Sequence, residues 1–144
     1  MGETTAILVT EFASNKEGAI PIHIPRTLLQ KRRWRATAEN GTELAADLPK
    51  PAIHGTLLKG GNNTYQIHQK PEEVIVIPLP DTPSMAAKIG WYLGNRHLPI
   101  AVQNDEMLVE LFPTLTDSLD RIGIPYTQRT DVLRVRAHSS AHRH

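Results

Sequence analysis

The chain has 144 residues, of which 40% are hydrophobic, and it carries a formal net charge of +1 at pH 7. That length suits one ordinary domain or two small ones, and the near-neutral charge provides no overall field that would attract nucleic acid or an anionic membrane surface. The chain has no cysteine, which excludes disulfides, thiolate metal sites and cysteine nucleophiles. Because no signal peptide or membrane-spanning run is recognisable, we expect a cytoplasmic protein.

The first half of the chain is predicted to form short β-strands. Partly alternating runs, namely Pro21 to Ile24, QKRRWRATA and TYQIH, are separated by turn signals. The Asn40-Gly41 pair within ENGTE predicts a tight two-residue hairpin turn, since both residue types accept a positive φ. The prolines at positions 21 and 25 argue against a central strand. No amphipathic helix is predicted before residue 80.

The second half of the chain is predicted to form both strands and helices. The apolar run EVIVIPLP has the length of a strand, and LPIAV, MLVELF and TDVLRVR are predicted as three further strands. A helix is predicted from Pro113, with apolar residues at helical spacing, and Gly123 is expected to end it. One further helix is predicted earlier in the chain, between EVIVIPLP and LPIAV.

That earlier helix is predicted within DTPSMAAKIGWYLGN. Thr82 is suited to be its N-cap, and the proline that follows fits the first helical position. Met85, Ile89 and Leu93 recur every four residues and are expected to share its buried face. The Gly94-Asn95 pair is expected to supply a left-handed cap at its end.

These predictions place the chain in the α+β class. The second half has the order β-α-β-β-α-β, which is typical of a ferredoxin-like sandwich with two helices on an antiparallel sheet. We therefore expect a small β domain over residues 1–71, a ferredoxin-like domain over residues 72–137 and a mobile tail over residues 138–144.

His97 is the first candidate ligand for a metal ion. It lies between the end of the predicted helix, where carbonyl groups favour a nearby cation, and the start of a strand. One histidine cannot form a tight metal site, but a symmetric dimer would present the same histidine twice. The alternative is a loop histidine that hydrogen-bonds a carbonyl at the helix end.

The C-terminal segment HSSAHRH holds three further candidate ligands, His138, His142 and His144. Short segments rich in histidine are typical of metal binding, and sites with nitrogen but no thiolate favour nickel, zinc or copper(II). The alternative is an unstructured polar tail without a metal.

The run QKRRWR is a candidate surface for a partner. Lys31, Arg33 and Arg35 would lie on one face of a strand, and Arg32 and Trp34 on the other. Such a face could bind an acidic protein or single-stranded nucleic acid. A solvated strand face with the tryptophan covering the β domain is the alternative, which the absence of a wider basic patch favours over nucleic acid.

The remaining histidines, at positions 23, 54 and 68, show no ligand spacing and are interpreted as surface or turn residues. No nucleophile with a base, no general acid pair and no phosphate-binding glycine loop is recognisable. We therefore expect no enzyme activity.

The segment YLGNRHLPI, Tyr92 to Ile100, resembles the signature of the UreE family of urease accessory proteins, which are nickel metallochaperones. The surrounding sequence from Pro71 to Val102 is similar to the strand-helix-strand order of that family. Upstream, the sequence from Arg32 to Leu58 is similar to the family's basic strand, Asn-Gly turn and following strand.

The resemblance implies a β domain of the peptide-binding type beside a ferredoxin-like domain that dimerises. It implies that His97 from both subunits binds Ni(II) at the dimer interface, with tail histidines completing the site. It also implies delivery of nickel to the urease apoprotein, together with the other accessory proteins and their GTPase. Because no histidine lies between Leu98 and Ala137, we expect a low capacity of one ion per dimer.

Overall fold

The chain divides into two compact units, Met1–Lys70 and Pro71–His144, and the computed structural model describes residues 5–135. Strands and helices together place the fold in the α+β class, as predicted. The first unit contains β1 (Ile7–Val9), β2 (Glu11–Phe12), β3 (Ile20–Ile24), α1 (Arg26–Leu29), β4 (Arg33–Thr37), β5 (Glu43–Asp47), β6 (Leu57–Gly60) and β7 (Asn63–Gln69). The second contains β8 (Glu72–Pro78), α2 (Pro83–Gly94), β9 (Ile100–Gln103), β10 (Glu106–Glu110), α3 (Pro113–Ile122) and β11 (Thr127–Asp131). No helix in this described range is long and apolar enough to span a membrane.

The first unit consists of two sheets around one core. Their strand orders are β1-β5-β4 and β2-β6-β7-β3. Leu44 from the first sheet and Ile22, Leu58 and Tyr65 from the second all lie fully buried in this core. Close packing also explains one glycine, because a Cβ at Gly60 would lie 2.9 Å from the Tyr65 ring.

Two features of the first unit refine the prediction. Strand β3 lies at the edge of its sheet, where Pro21 removes no hydrogen bond from a central ladder. The sequence did not indicate α1, a helix of one turn whose Arg26 and Leu29 are buried. Four residues are too few to show a helical period, so a helix this short leaves no pattern to detect.

The hairpin between β4 and β5 is present, but its turn is longer than predicted. The amide of Ala38 donates to the carbonyl of Thr42 at 2.8 Å, and the amide of Gly41 donates to the carbonyl of Ala38 at 2.9 Å. Only Gly41 of the predicted pair has a positive φ, at 85°. The loop therefore spans residues 39–41, a three-residue turn that ends in a left-handed glycine.

The second unit has the predicted order of elements. Its strands form one antiparallel sheet in the order β11-β8-β10-β9, so that β8 and β10 are central. Ile75 and Ile77 of β8 pack with Ile89 and Leu93 of α2 on one face. The alternate residues of β8 pack on the opposite face, which explains why the whole strand is apolar in sequence.

Helix α2 begins as predicted. Thr82 is its N-cap, and its hydroxyl accepts a hydrogen bond from the amide of Met85 at 3.3 Å. Ile89 and Leu93 are buried, but Met85 is exposed, so the predicted apolar face is buried only over its last two turns. Helix α3 ends at Ile122, and Gly123, which was expected to end the helix, is its C-cap with a left-handed φ of 75°.

The prediction for the last strand was wrong in position. Strand β11 covers Thr127–Asp131, whereas the apolar residues of TDVLRVR led us to expect a later strand. Asp131 pairs with Glu72, the first residue of β8, so no partner strand remains beyond that point. The chain then leaves the ladder, and Leu133 becomes fully buried against the second face of the sheet, beside Val74.

An ionic cluster on that second face lies across β8. Arg129 of β11 donates to Glu106 of β10, with one N–O distance of 3.2 Å, and also to Asp131. The hydrogen bonds from Arg129 hold the pKa of the Glu106 carboxyl below its usual range, and they raise the pKa of the arginine itself. The cluster therefore favours the ionised carboxylate in the folded chain.

Replacing Leu133 with alanine should destabilise the second unit by about 2–5 kcal/mol, because a fully buried leucine is lost from a packed face. Val135→Ala is the matched control, since Val135 is 39% exposed and should change little. Hydrogen exchange of the β8 and β10 amides measures the stability of this unit on its own. Equal effects of the two substitutions would contradict the packing of the segment after β11.

Replacing Glu106 with glutamine should lower the stability of the second unit at pH 7 but not in acid. A carboxyl with a lowered pKa stabilises the fold above its pKa in the unfolded chain, and this contribution is lost as the pH falls through the folded pKa. The urea midpoints of the original chain and of Glu106→Gln should therefore differ at pH 7 and agree in strong acid. The difference at pH 7 should shrink in 1 M salt, and a difference that is the same at both pH values would contradict this account.

Candidate metal site

His97 lies at the end of a turn that continues α2. The amides of Asn95, Arg96 and His97 donate to the carbonyls of Trp91, Leu93 and Gly94 at 2.9, 3.1 and 3.0 Å. The backbone then reverses at His97, which has a φ of 57°. The predicted left-handed cap therefore lies later in the chain, because Asn95 remains in the right-handed helical region with a φ of −65°. One more hydrogen-bonded turn follows the helix before the chain can reverse.

The left-handed backbone at His97 distinguishes it from most other residues. Within residues 5–135, Asn104 is the only other residue with a Cβ and a positive φ. This conformation disfavours most side chains by about 1 kcal/mol, and glycine or asparagine accepts it best. A residue with a side chain in this conformation is a candidate for a functional role.

The His97 imidazole lies on the surface. The residue is exposed, and its ring has no hydrogen-bond partner among the described residues. Its backbone amide, rather than its ring, bonds the helix-end carbonyl, so the ring is left accessible to a ligand. The carbonyl end of α2 lies beside it and favours a cation there.

Both neighbours of the turn are fixed by the core. Leu93 is fully buried on the helix side, and Leu98 packs against the same core on the strand side. Arg96, between them, places its guanidinium 4.6 Å from the centre of the Tyr92 ring, a cation–π contact. The exposed imidazole therefore projects from a base with little freedom to move.

One chain alone does not complete a metal site among its described residues. Over residues 5–135, no group of three or more histidine, aspartate or glutamate side chains is arranged to hold a metal ion. The predicted tail ligands His138, His142 and His144 lie outside the described residues. At this position, the described part of the chain therefore offers a single imidazole.

An apolar groove lies along the exposed side of α2. Trp91 is 69% exposed, and Met85 and Ile122 are also exposed. Together with buried and half-buried neighbours they surround a volume of about 430 Å³ lined by Met85, Lys88, Ile89, Trp91, Tyr92, Ile122 and Ile124. A large aromatic ring exposed to this degree on a small unit is typical of a binding surface.

The basic strand is less available to a partner than its sequence indicates. Arg33 pairs with Asp47 at 3.2 Å, and Arg35 pairs with Glu43 at 3.3 Å, both across the β4–β5 hairpin. Trp34 is buried in the core of the first unit, so its ring cannot stack on a base. Lys31 and Arg32 precede the strand, and Arg32 donates to a backbone carbonyl, that of Leu48, at 3.1 Å.

The structure also brings together three histidines that the sequence left apart. The ring centres of His23 and His68 lie 5.4 Å apart, and those of His54 and His68 lie 5.6 Å apart. His23 and His68 are on strands rather than in turns, as register partners in the parallel pair β3–β7. Only that pairing could have indicated the cluster, and it links segments far apart in the sequence.

Comparison with known proteins identifies the family. Residues 72–144 match the family described as UreE urease accessory protein, C-terminal domain. The chain is 31% identical to the urease accessory protein UreE of Corynebacterium efficiens over 150 residues, covering 96% of this chain and 100% of the relative. It is 31% identical to the protein of that name from Bacillus cereus, covering 93% and 90%, and 37% identical to that of Lysinibacillus sphaericus, covering 68% of each. The chain belongs to the UreE family of urease accessory proteins.

Proposed function

We propose that this protein is a nickel metallochaperone, which binds Ni(II) and delivers it to the urease apoprotein during urease maturation. Membership of a family of urease accessory proteins supports a role in urease maturation rather than an enzymatic one. The observation that carries the metal-binding part is the exposed imidazole of His97 in a left-handed turn at the end of a helix. Nickel is the cargo in this proposal.

The proposed site requires two copies of the chain. A single imidazole gives one bond to an ion, whereas a two-fold axis beside His97 would place two imidazoles around the same ion. The apolar groove around Trp91, on the helix that leads to His97, is the surface that a second copy would cover. Burial of its exposed aromatic and aliphatic groups would stabilise a homodimer.

The tail histidines complete the site in this proposal. His138, His142 and His144 would add nitrogen ligands from a segment that can approach and leave, while His97 remains fixed. An ion with few fixed ligands exchanges its remaining ligands stepwise, which suits transfer to another protein. Zn(II) and Cu(II) would bind the same nitrogen ligands in vitro.

The two units have separate roles in the proposal. The sheet order β11-β8-β10-β9, with helices between the strands, supports a ferredoxin-like fold for residues 72–137, which would dimerise and bind metal. Residues 1–71 would form a peptide-binding β domain that contacts the urease apoprotein or the other accessory proteins, including the GTPase. Such an exchange would take place in the cytoplasm.

The test is a calorimetric nickel titration of His97→Asn. Asparagine accepts the left-handed backbone that His97 adopts, so this substitution removes the imidazole and leaves the turn intact. The nickel affinity should fall at least about tenfold, since the substitution removes both fixed imidazoles of the dimer, one from each chain. An unchanged affinity would exclude His97 as a ligand.

Two further variants test the shared site. Trp91→Glu, which places a charge in the apolar groove, should dissociate the dimer and weaken nickel binding although His97 is intact. Ile53→Glu is its matched control, since Ile53 is equally exposed in the first unit. A chain ending at Ala137 should keep the dimer but bind nickel more weakly, which measures the contribution of the tail.

A further inference from the structure

The histidine cluster of the first unit lies on the outer face of its sheet. His23 and His68 are directly opposite each other in the parallel pair β3–β7. Ile22, Ile24 and Ile67, their neighbours along the strands, point into the core, so the two imidazoles project together from the other side. Their side-by-side position is fixed by the backbone ladder rather than by flexible loops.

The spacing of the two rings suits one shared metal ion. Metal–nitrogen bonds to imidazole are about 2.0–2.1 Å long, which places an ion roughly 3.2 Å from the centre of each ring. Two rings can therefore share an ion when their centres are up to about 6.4 Å apart. The His23 and His68 ring centres are 5.4 Å apart, within that limit. The rings are tilted by 44° to each other, and His23, His68 and Glu39 are not arranged as a metal site in the chain without an ion, so the side chains would have to turn toward a common point on binding.

A carboxylate lies beside the pair. An oxygen of Glu39 lies 2.6 Å from Nε2 of His23. The amide of Glu39 donates to the carbonyl of Pro21 at 3.0 Å, which holds this hairpin residue next to β3. The carboxylate therefore adds negative charge beside His23, and it is a third possible ligand for a cation that the two rings would share.

His54 is the third histidine of the cluster, and its ring lies next to that of His68. Its Nδ1 accepts a hydrogen bond from the backbone amide of Gln69 at 3.1 Å. A neutral imidazole that accepts at Nδ1 carries its proton on Nε2, so this ring is not prepared to bind a metal. Its ring is perpendicular to that of His68, at an interplanar angle of 87°. His54 is therefore not assigned as a ligand.

We propose that His23, His68 and Glu39 form a second divalent cation site, on the N-terminal unit and separate from the site at His97. The ion would belong to the class that accepts imidazole nitrogen together with carboxylate oxygen, namely Zn(II), Ni(II) or Cu(II). On binding, the ion takes the Nε2 position of His23, the ring proton moves by way of solvent from Nε2 to Nδ1 so that the imidazole stays neutral, and the carboxylate turns to the ion. No redox step is involved.

The site would give the first unit of each chain its own place to hold an ion. This inference does not depend on nickel binding by His97, because it uses other residues on the other unit. The three candidate ligands are all exposed or half-buried, so an ion can reach them without opening the core.

The test uses the full chain with all the other candidate ligands replaced, as His97→Asn, His138→Asn, His142→Asn and His144→Asn together. Zn(II) is titrated, and the ring nitrogens are followed by long-range proton–nitrogen NMR. One zinc ion per chain should bind in the micromolar range, with the ring signals of His23 and His68 shifting together. In that background, His68→Asn should weaken zinc binding at least about tenfold, and Glu39→Gln should weaken it less.

His54→Asn is the matched control, because it removes a ring of the same cluster that is not assigned as a ligand; it should change the zinc affinity by less than the loss of His68. The backbone NMR spectrum verifies that each variant is folded. The proposal would be overturned if zinc bound with a Kd above about 100 µM. It would also be overturned if the His23→Asn and His68→Asn variants bound zinc as tightly as their background. Either result would leave the proposed nickel site at His97 untouched.

Discussion

The reversal of the backbone at His97 is the constraint on which the candidate site depends. Three successive amide hydrogen bonds extend α2 by one turn, and the left-handed residue then directs the chain into β9. The buried Leu93 on one side and the half-buried Leu98 on the other hold this turn against the core. The fold thus fixes the position of the exposed imidazole of His97. Glycine would adopt the left-handed backbone conformation of this residue at a lower energetic cost. Because the exposed His97 ring adds nothing to the core, its candidate role is to bind a ligand.

The candidate site at His97 is incomplete in one chain, and the remaining features of the second unit suggest how it would be completed. A lone imidazole offers an ion too few bonds, and the described residues form no group of three or more possible metal ligands that would include it. The exposed Trp91 groove on the same helix provides a reason for two copies to associate. Dimerisation, the shared ion and the adaptable tail are therefore one proposal, in which a partly formed site binds nickel and can also release it.

Local patterns in the sequence predicted much of the second unit. Thr82 and Gly123 marked the helix boundaries because capping is decided by a few adjacent residues. The position of β11 was missed because a strand ends where its partner ends, and the pairing of Asp131 with Glu72 is not visible in the local sequence. The left-handed residue was misplaced because one more hydrogen-bonded turn follows α2, which the Gly94-Asn95 pair does not indicate.

The candidate sites divide in the same way. His97 was found from its neighbours in sequence, whereas the pairing of His23 with His68 arises from a parallel ladder between distant segments. The basic strand was judged from its own charges, although its acidic partners Asp47 and Glu43 lie on the next strand. Properties set by a residue's own neighbourhood could be predicted, and those set by strand pairing could not.

The most direct test of the central claim is native mass spectrometry of the chain during a nickel titration, which reports the number of subunits and of ions in each particle. The account predicts a dimer that takes up one tightly bound Ni(II) before any weaker binding, in keeping with one His97 from each of two chains. The account would be contradicted by a monomer that binds a nickel ion as tightly as the dimer does. It would also be contradicted by a dimer that binds its first nickel ions independently, one in each subunit.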